Sequence, residues 1–161
     1  SVSEGTRIRP HPEVLCRILA PGDDSTGRLA DDRSLVLTIE YGEMSLLLTA
    51  DAGFDTEKEL LAEGVDLRAD LWIRGQHTDS PPPLSEFVSA VSPRAVISSS
   101  SEFPAAQRIS PNLRSLFEET DVPLFPLDET GVVTVLVTPN QIEVIPFRNG
   151  KSLETLLLKK L

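Results

Sequence analysis

Apolar residues along this chain come in short runs separated by clusters of glycine, proline and small polar residues. The first run, Val14 to Leu19, leads into Pro21-Gly22-Asp23-Asp24-Ser25-Thr26-Gly27, so a strand ending in a surface loop is predicted. Ser34 to Glu40 and Met44 to Thr49 follow, joined by Tyr41-Gly42-Glu43, a hairpin signature. Both runs are nearly continuous in Leu, Val and Ile instead of alternating with polar residues, which predicts a sheet covered on both faces.

The spacing then changes. A helix is predicted from about Thr56 to Glu63, with Gly64 at the C-cap. After a short strand at Leu71-Trp72-Ile73, Pro82 and Pro83 precede a second helix, Leu84 to Val91, whose Leu84, Phe87, Val88 and Val91 share one face. A strand at Arg94 to Ser98 and a third helix at Pro111 to Glu119 come next, the latter with Ser110 as N-cap and Leu113, Leu116 and Phe117 inward. The run Ser98 to Ser101 reads as the handover from strand to loop. Strand character returns at Pro123 to Phe125, Val132 to Val137 and Gln141 to Ile145, the last two joined by Thr138-Pro139-Asn140. Alternating strands and helices between two hairpins imply an α/β layered domain with a mixed sheet and flanking helices. Leu153, Leu156, Leu157 and Leu161 recur at helical spacing, so residues 151–161 are expected to form an amphipathic helix, packed on the domain or offered to a partner. Residues 1–12 read as a linker or cut end, with His11 exposed between two prolines.

Length and composition sharpen this picture. A chain of 161 residues that is 40% hydrophobic can bury one real core. Its formal net charge of −10, without clustered Lys or Arg, disfavours general nucleic-acid affinity. Cys16 is the only cysteine, so no intramolecular disulfide forms, and no His or acid is placed in sequence to activate its thiol. No run approaches the ~20 apolar residues of a membrane span, and the first residues lack the basic and apolar regions of a signal peptide. A soluble domain is expected.

From about Asp32 to Val137 the order of landmarks resembles the metallo-β-lactamase-like domain of ComEC-type DNA-uptake proteins. That family runs Ser-Leu-Val-Leu, then Leu-Leu-Thr-Gly-Asp-Ala, then an Asp-containing strand leading to His-His-Gly-Ser. This chain has Ser34-Leu35-Val36-Leu37, then Leu47-Leu48-Thr49-Ala50-Asp51-Ala52, then Asp70-Leu71-Trp72-Ile73 leading to Gln76-His77-Thr78-Asp79. Phe87-Val88-Ser89-Ala90-Val91-Ser92-Pro93 matches a further family block, Phe-Leu-x-Ala-Val-x-Pro, and the turn Asp128-Glu129-Thr130-Gly131 stands where the family has a Thr-x-x-x-Gly turn into the closing strands. The resemblance implies the C-terminal half of a metallo-β-lactamase-like fold, taken as one domain or half-domain over residues 1–161. It also implies a parent protein at the bacterial inner membrane.

The resemblance implies a metal-activated water acting on a phosphodiester or similar bond. Its first ligand motif, His-x-His-x-Asp-His, is absent here. Asp51 matches the family's metal-bridging Asp, although Ala50 replaces the glycine before it. His77 matches the second His of His-His-Gly-Ser, while Gln76 replaces the first, and an amide is a poor zinc ligand. The Asn-x-Tyr-Gly-His-Pro loop falls at Glu102 to Pro111, where its Tyr and His have no counterpart.

Three readings follow. The first is a non-catalytic domain of a DNA-uptake protein, structural or regulatory, for which no cofactor is expected. The second is a metal-dependent hydrolase using zinc or manganese, with Asp51, His77 and Asp79 as remnant ligands, Asp70 as a substitute, and the others outside the chain. The third is a small-ligand or peptide-binding module in which Trp72, Arg74, Gln76, His77 and Arg108 converge; the plainer roles are a core aromatic for Trp72 and exposed salt bridges for Arg74 and Arg108. A half-domain would expose an apolar sheet face, so a homodimer or a missing N-terminal half-domain is the expected partner.

Overall fold

A computed structural model of the chain describes residues 4–22, 34–75, 82–104 and 107–160. Strands β1 (Arg7–His11), β2 (Val14–Ala20), β3 (Val36–Tyr41), β4 (Met44–Ala50), β5 (Leu71–Gly75), β6 (Ala95–Ser99) and β7 (Leu124–Pro126) form one sheet in that order. β1 to β4 pair antiparallel and β4 to β7 parallel, so the sheet is mixed. Helices α1 (Phe54–Glu63), α2 (Ser85–Val91) and α3 (Pro111–Glu119) supply the parallel crossovers. Their termini obey local chemistry: Gly64 caps α1 with φ 65°, and Ser110 caps α3 by accepting the Leu113 amide at 3.2 Å.

Alternate residues of each central strand enter two different cores. Leu47, Trp72 and Val96 point to one side with Leu60, Phe87, Val91, Leu113 and Phe117 from the three helices. Leu46, Leu71, Ala95 and Ile97 point to the other, against Ile142, Val144 and Leu158. These last belong to a second sheet of β8 (Val132–Thr138), β9 (Gln141–Arg148), β10 (Lys151–Ser152) and β11 (Leu156–Lys159); the single-turn α4 (Leu127–Thr130) joins it to β7. The result is three layers: helices, large sheet, small sheet. The continuous apolar runs of β4, β5 and β6 are explained by this double coverage.

The sheets are stapled at one end. The Gly42 turn touches the Pro139 turn, where the Glu43 amide donates to the Pro139 carbonyl at 2.7 Å. A Cβ on Gly42 would lie 2.4 Å from that carbonyl oxygen, and its φ of 61° favours glycine as well. Beside this staple Asp70, only 4% exposed, accepts from the Ser45 amide (3.0 Å), Arg94 Nη1 (3.2 Å) and Lys160 Nζ (3.3 Å).

Two expectations at the termini fail. The helix expected over 151–161 does not form in the described residues 151–160: Leu156 and Leu158 pair with Val144 and Ile142 of β9. The triplet Leu156-Leu157-Leu158 has no period of its own, so the open edge of β9 and its backbone hydrogen bonds decide. Asn149-Gly150, with φ of 52° and 77°, is the hairpin turn that starts this return, a signal legible in the sequence. Residues 1–12 are likewise not all linker, because Arg7–His11 is a strand paired with β2; His11 is exposed as expected. The outer face of the small sheet exposes Val132 (67%), Leu136, Phe147 and Leu157.

Candidate functional site

Parallel strands leave their carboxyl ends on one edge, where α/β sheets place ligands. Here that edge carries Ala50 at the end of β4 and Asp51 after it, Arg74 and Gly75 at the end of β5, Ser100 and Ser101 after β6 and Asp128 after β7. Ala50 has a φ of 44°, in the left-handed region that costs a non-glycine residue about 1–2 kcal/mol. Glycine adopts this conformation without that cost. Ala50→Gly is therefore expected to raise stability by up to about 1 kcal/mol, the relief being offset in part by a freer unfolded chain. Urea unfolding of the two proteins checks this; a destabilised variant would show that the turn is not strained.

Asp51 is exposed and turns back against β5. A Cβ on Gly75 would come 1.9 Å from Asp51 Oδ1 and 2.5 Å from the Ala50 carbonyl oxygen. Glycine at 75 is what admits the carboxylate so close to the neighbouring strand. Gln76, His77 and Asp79 lie outside the described residues.

Arg74 is buried, not an exposed salt-bridging residue, and its guanidinium lies 5.5 Å from the Trp72 ring centre. Among the described residues its Nη1 and the hydroxyl of Thr56 have no hydrogen-bond partner. Burial holds the Arg74 pKa below its ordinary value, and the Glu57 charge offsets this in part. Burial also raises the pKa of Glu57, against the Leu84 amide, which donates to it at 2.8 Å, and the charge of Arg74. Trp72 is 1% exposed and packs as a core aromatic, with Nε1 donating to Thr49 Oγ1 at 3.0 Å. Arg108 is exposed, and its Nε donates to the Glu102 carbonyl at 3.2 Å. Trp72 and Arg74 are thus neighbours inside the protein, while Arg108 sits on a surface loop.

Asp70 is at the wrong end. It precedes Leu71, whose register partner is Leu46, whereas Asp51 follows Ala50, the partner of Arg74. At ~3.3 Å per strand residue the two acids are well over 10 Å apart, while metal–oxygen bonds are about 2 Å. Asp70 therefore cannot substitute as a ligand beside Asp51. Among the described residues no group of three or more His, Cys, Asp or Glu is arranged to hold a metal ion. Asp128 at the same edge is already engaged: it accepts from the Ser100 hydroxyl and, at 3.2 Å, from the Ile109 amide. A catalytic zinc usually draws three protein ligands, and the described donor set does not fit one. The sequence marks Glu57 only as part of a helix, Ser100 as part of a strand-to-loop handover and Asp128 as part of a turn, because the partners that give each its role are distant in the chain.

No family model matches the chain, and no curated protein matches it. Among solved structures, the chain is similar in fold to a mutant of the CmlA beta-hydroxylase. The TM-score is 0.51 at 17% sequence identity over 78% of this chain. The match spans 32% of the length of the hydroxylase chain. At that identity the likeness concerns the fold alone.

Proposed function

We propose that this chain is a non-catalytic metallo-β-lactamase-like domain of a ComEC-related DNA-uptake protein, with a structural or regulatory role. The observation that carries the reading is the state of the carboxyl edge. Asp51 lies on the turn after β4, and Asp128, another described acid at that edge, is tied into hydrogen bonds. The three-layer arrangement and the likeness to the hydroxylase are compatible with a layered metallo-β-lactamase-like fold. The apolar outer face of the small sheet fits the same reading, since half of a larger layered domain leaves such a face for a second half or a second copy to cover.

Metal analysis tests the proposal. The purified chain is dialysed against zinc or manganese and then against buffer, alongside Asp51→Ala and His77→Ala. Neither metal is expected to be retained in stoichiometric amount, the three proteins should behave alike, and no cleavage of single- or double-stranded DNA should appear. Retention of about one metal per chain, lost in both variants, would overturn the reading in favour of a hydrolase.

A further inference from the structure

Among the strand-to-helix connections at the carboxyl edge are β5 to α2 and β6 to α3. At the described ends of each lies a buried carboxylate from outside both. Asp128, on α4, grips both ends of the second connection: the Ser100 hydroxyl at its start and the Ile109 amide at its end. The Asp128 amide donates back to Ser100 Oγ at 3.2 Å, so the contact with Ser100 is reciprocal. Within the connection, the Ser101 amide donates to the Gln107 carbonyl at 2.8 Å and Gln107 to Pro104 at 2.8 Å. Glu57, on α1, makes one such bond at the first connection. It accepts the Leu84 amide at the start of α2, and its charge acts on Arg74 at the end of β5.

Loops that donate metal ligands are cross-linked by the metal, whose binding energy becomes folding energy. Loops without a metal must be held by other bonds, and buried polar groups left unpaired cost about 1–3 kcal/mol each. We infer that Asp128 is the residue that fixes the β6–α3 connection, so that its order depends on a protein carboxylate and not on a bound ion. This rests on the non-catalytic reading. Ser100 and Ile109 are nine residues apart in sequence and have no reason to share an acceptor unless the connection is to be closed at its base. Closure at the base leaves the connection to project Phe103, whose side chain is exposed, without a contribution from the metal-type ligands that the sequence lacks.

Amide hydrogen exchange on the full chain tests this, with residues 99–110 compared with β3 and β4. In the parent, exchange over 99–110 should be the same with a chelator and with added zinc. Asp128→Ala should speed it by about tenfold or more, since it removes the charge-assisted bonds to both Ser100 and Ile109, and Ser100→Ala by a few-fold. β3 and β4 should be unchanged in both. Unchanged exchange over 99–110 in Asp128→Ala overturns the assignment and leaves the non-catalytic reading standing. If Asp128→Ala fails to fold, Ser100→Ala decides, and no local effect there overturns the assignment too. Slower exchange with zinc, in contrast, would sink the non-catalytic reading and the inference with it.

Discussion

Trp72→Ala is expected to remove about 3–5 kcal/mol of unfolding free energy, among the largest effects of any single change in this chain. Trp72 is the centre of the helix-side core: its ring lies 5.6 Å from that of Phe87 and 6.1 Å from that of Phe117, centre to centre. Helices α1, α2 and α3 and the large sheet meet around this group, α1 through Leu60. Truncation leaves a cavity, strands the buried Thr49 hydroxyl, and takes the ring away from the Arg74 guanidinium. A domain of this size is stable by only about 5–15 kcal/mol. Urea unfolding followed by far-ultraviolet circular dichroism is the measurement, because Trp72 is the only tryptophan and its fluorescence is lost with it. A loss below about 1 kcal/mol would mean that the helices do not close over the sheet as described.

Asp70→Ala is expected to cost about 2–3 kcal/mol and to loosen the C-terminal strand. Breaking a buried ion pair commonly costs 3–5 kcal/mol, but Arg94 and Lys160 are 37% and 42% exposed and turn into water once released. The Ser45 amide then loses its carboxylate, and the Arg94 guanidinium, which also donates to the Lys159 carbonyl at 2.8 Å, loses its anchor. Faster exchange across β11 should accompany the lost stability.

The same carboxylate sets a pH dependence. Burial is the strongest single influence on Asp70 and works against its charge, but the bonds from Ser45, Arg94 and Lys160 together outweigh it and hold its pKa below the usual value. The unfolded chain therefore binds the proton more readily. The stabilisation is complete at neutral pH and is lost as pH falls through about 4 and below. Asp70→Asn should flatten that acid limb, and the two curves should converge at the lowest pH. Parallel curves across the acid range would assign the acid sensitivity to another group.

Much of the helix and strand order was open to inspection in the sequence, because its signals are local. Gly64 ends α1, Ser110 and Pro111 start α3, and Tyr41-Gly42-Glu43 turns a hairpin, each through the chemistry of a few adjacent residues. The continuous apolar runs also foretold a sheet covered on both faces, since period-two side chains that are all apolar require a core on each side.

What the chain does with ambiguous or isolated residues was settled only in three dimensions. Leu156-Leu157-Leu158 suits a helix or a strand, and the unpaired edge of β9 made it a strand. Arg74 looks like a surface charge until β5 turns it under the helices beside Glu57. Asp70 and Asp51 look like neighbours in a ligand set until a parallel register sends them to opposite ends of the sheet. Asp128 reads as part of a turn until Ser100 and Ile109 arrive beside it. Local propensity depends on a few bonded neighbours and is written in sequence. The role of a charged side chain depends on burial and on partners brought from far along the chain, and packing alone supplies those.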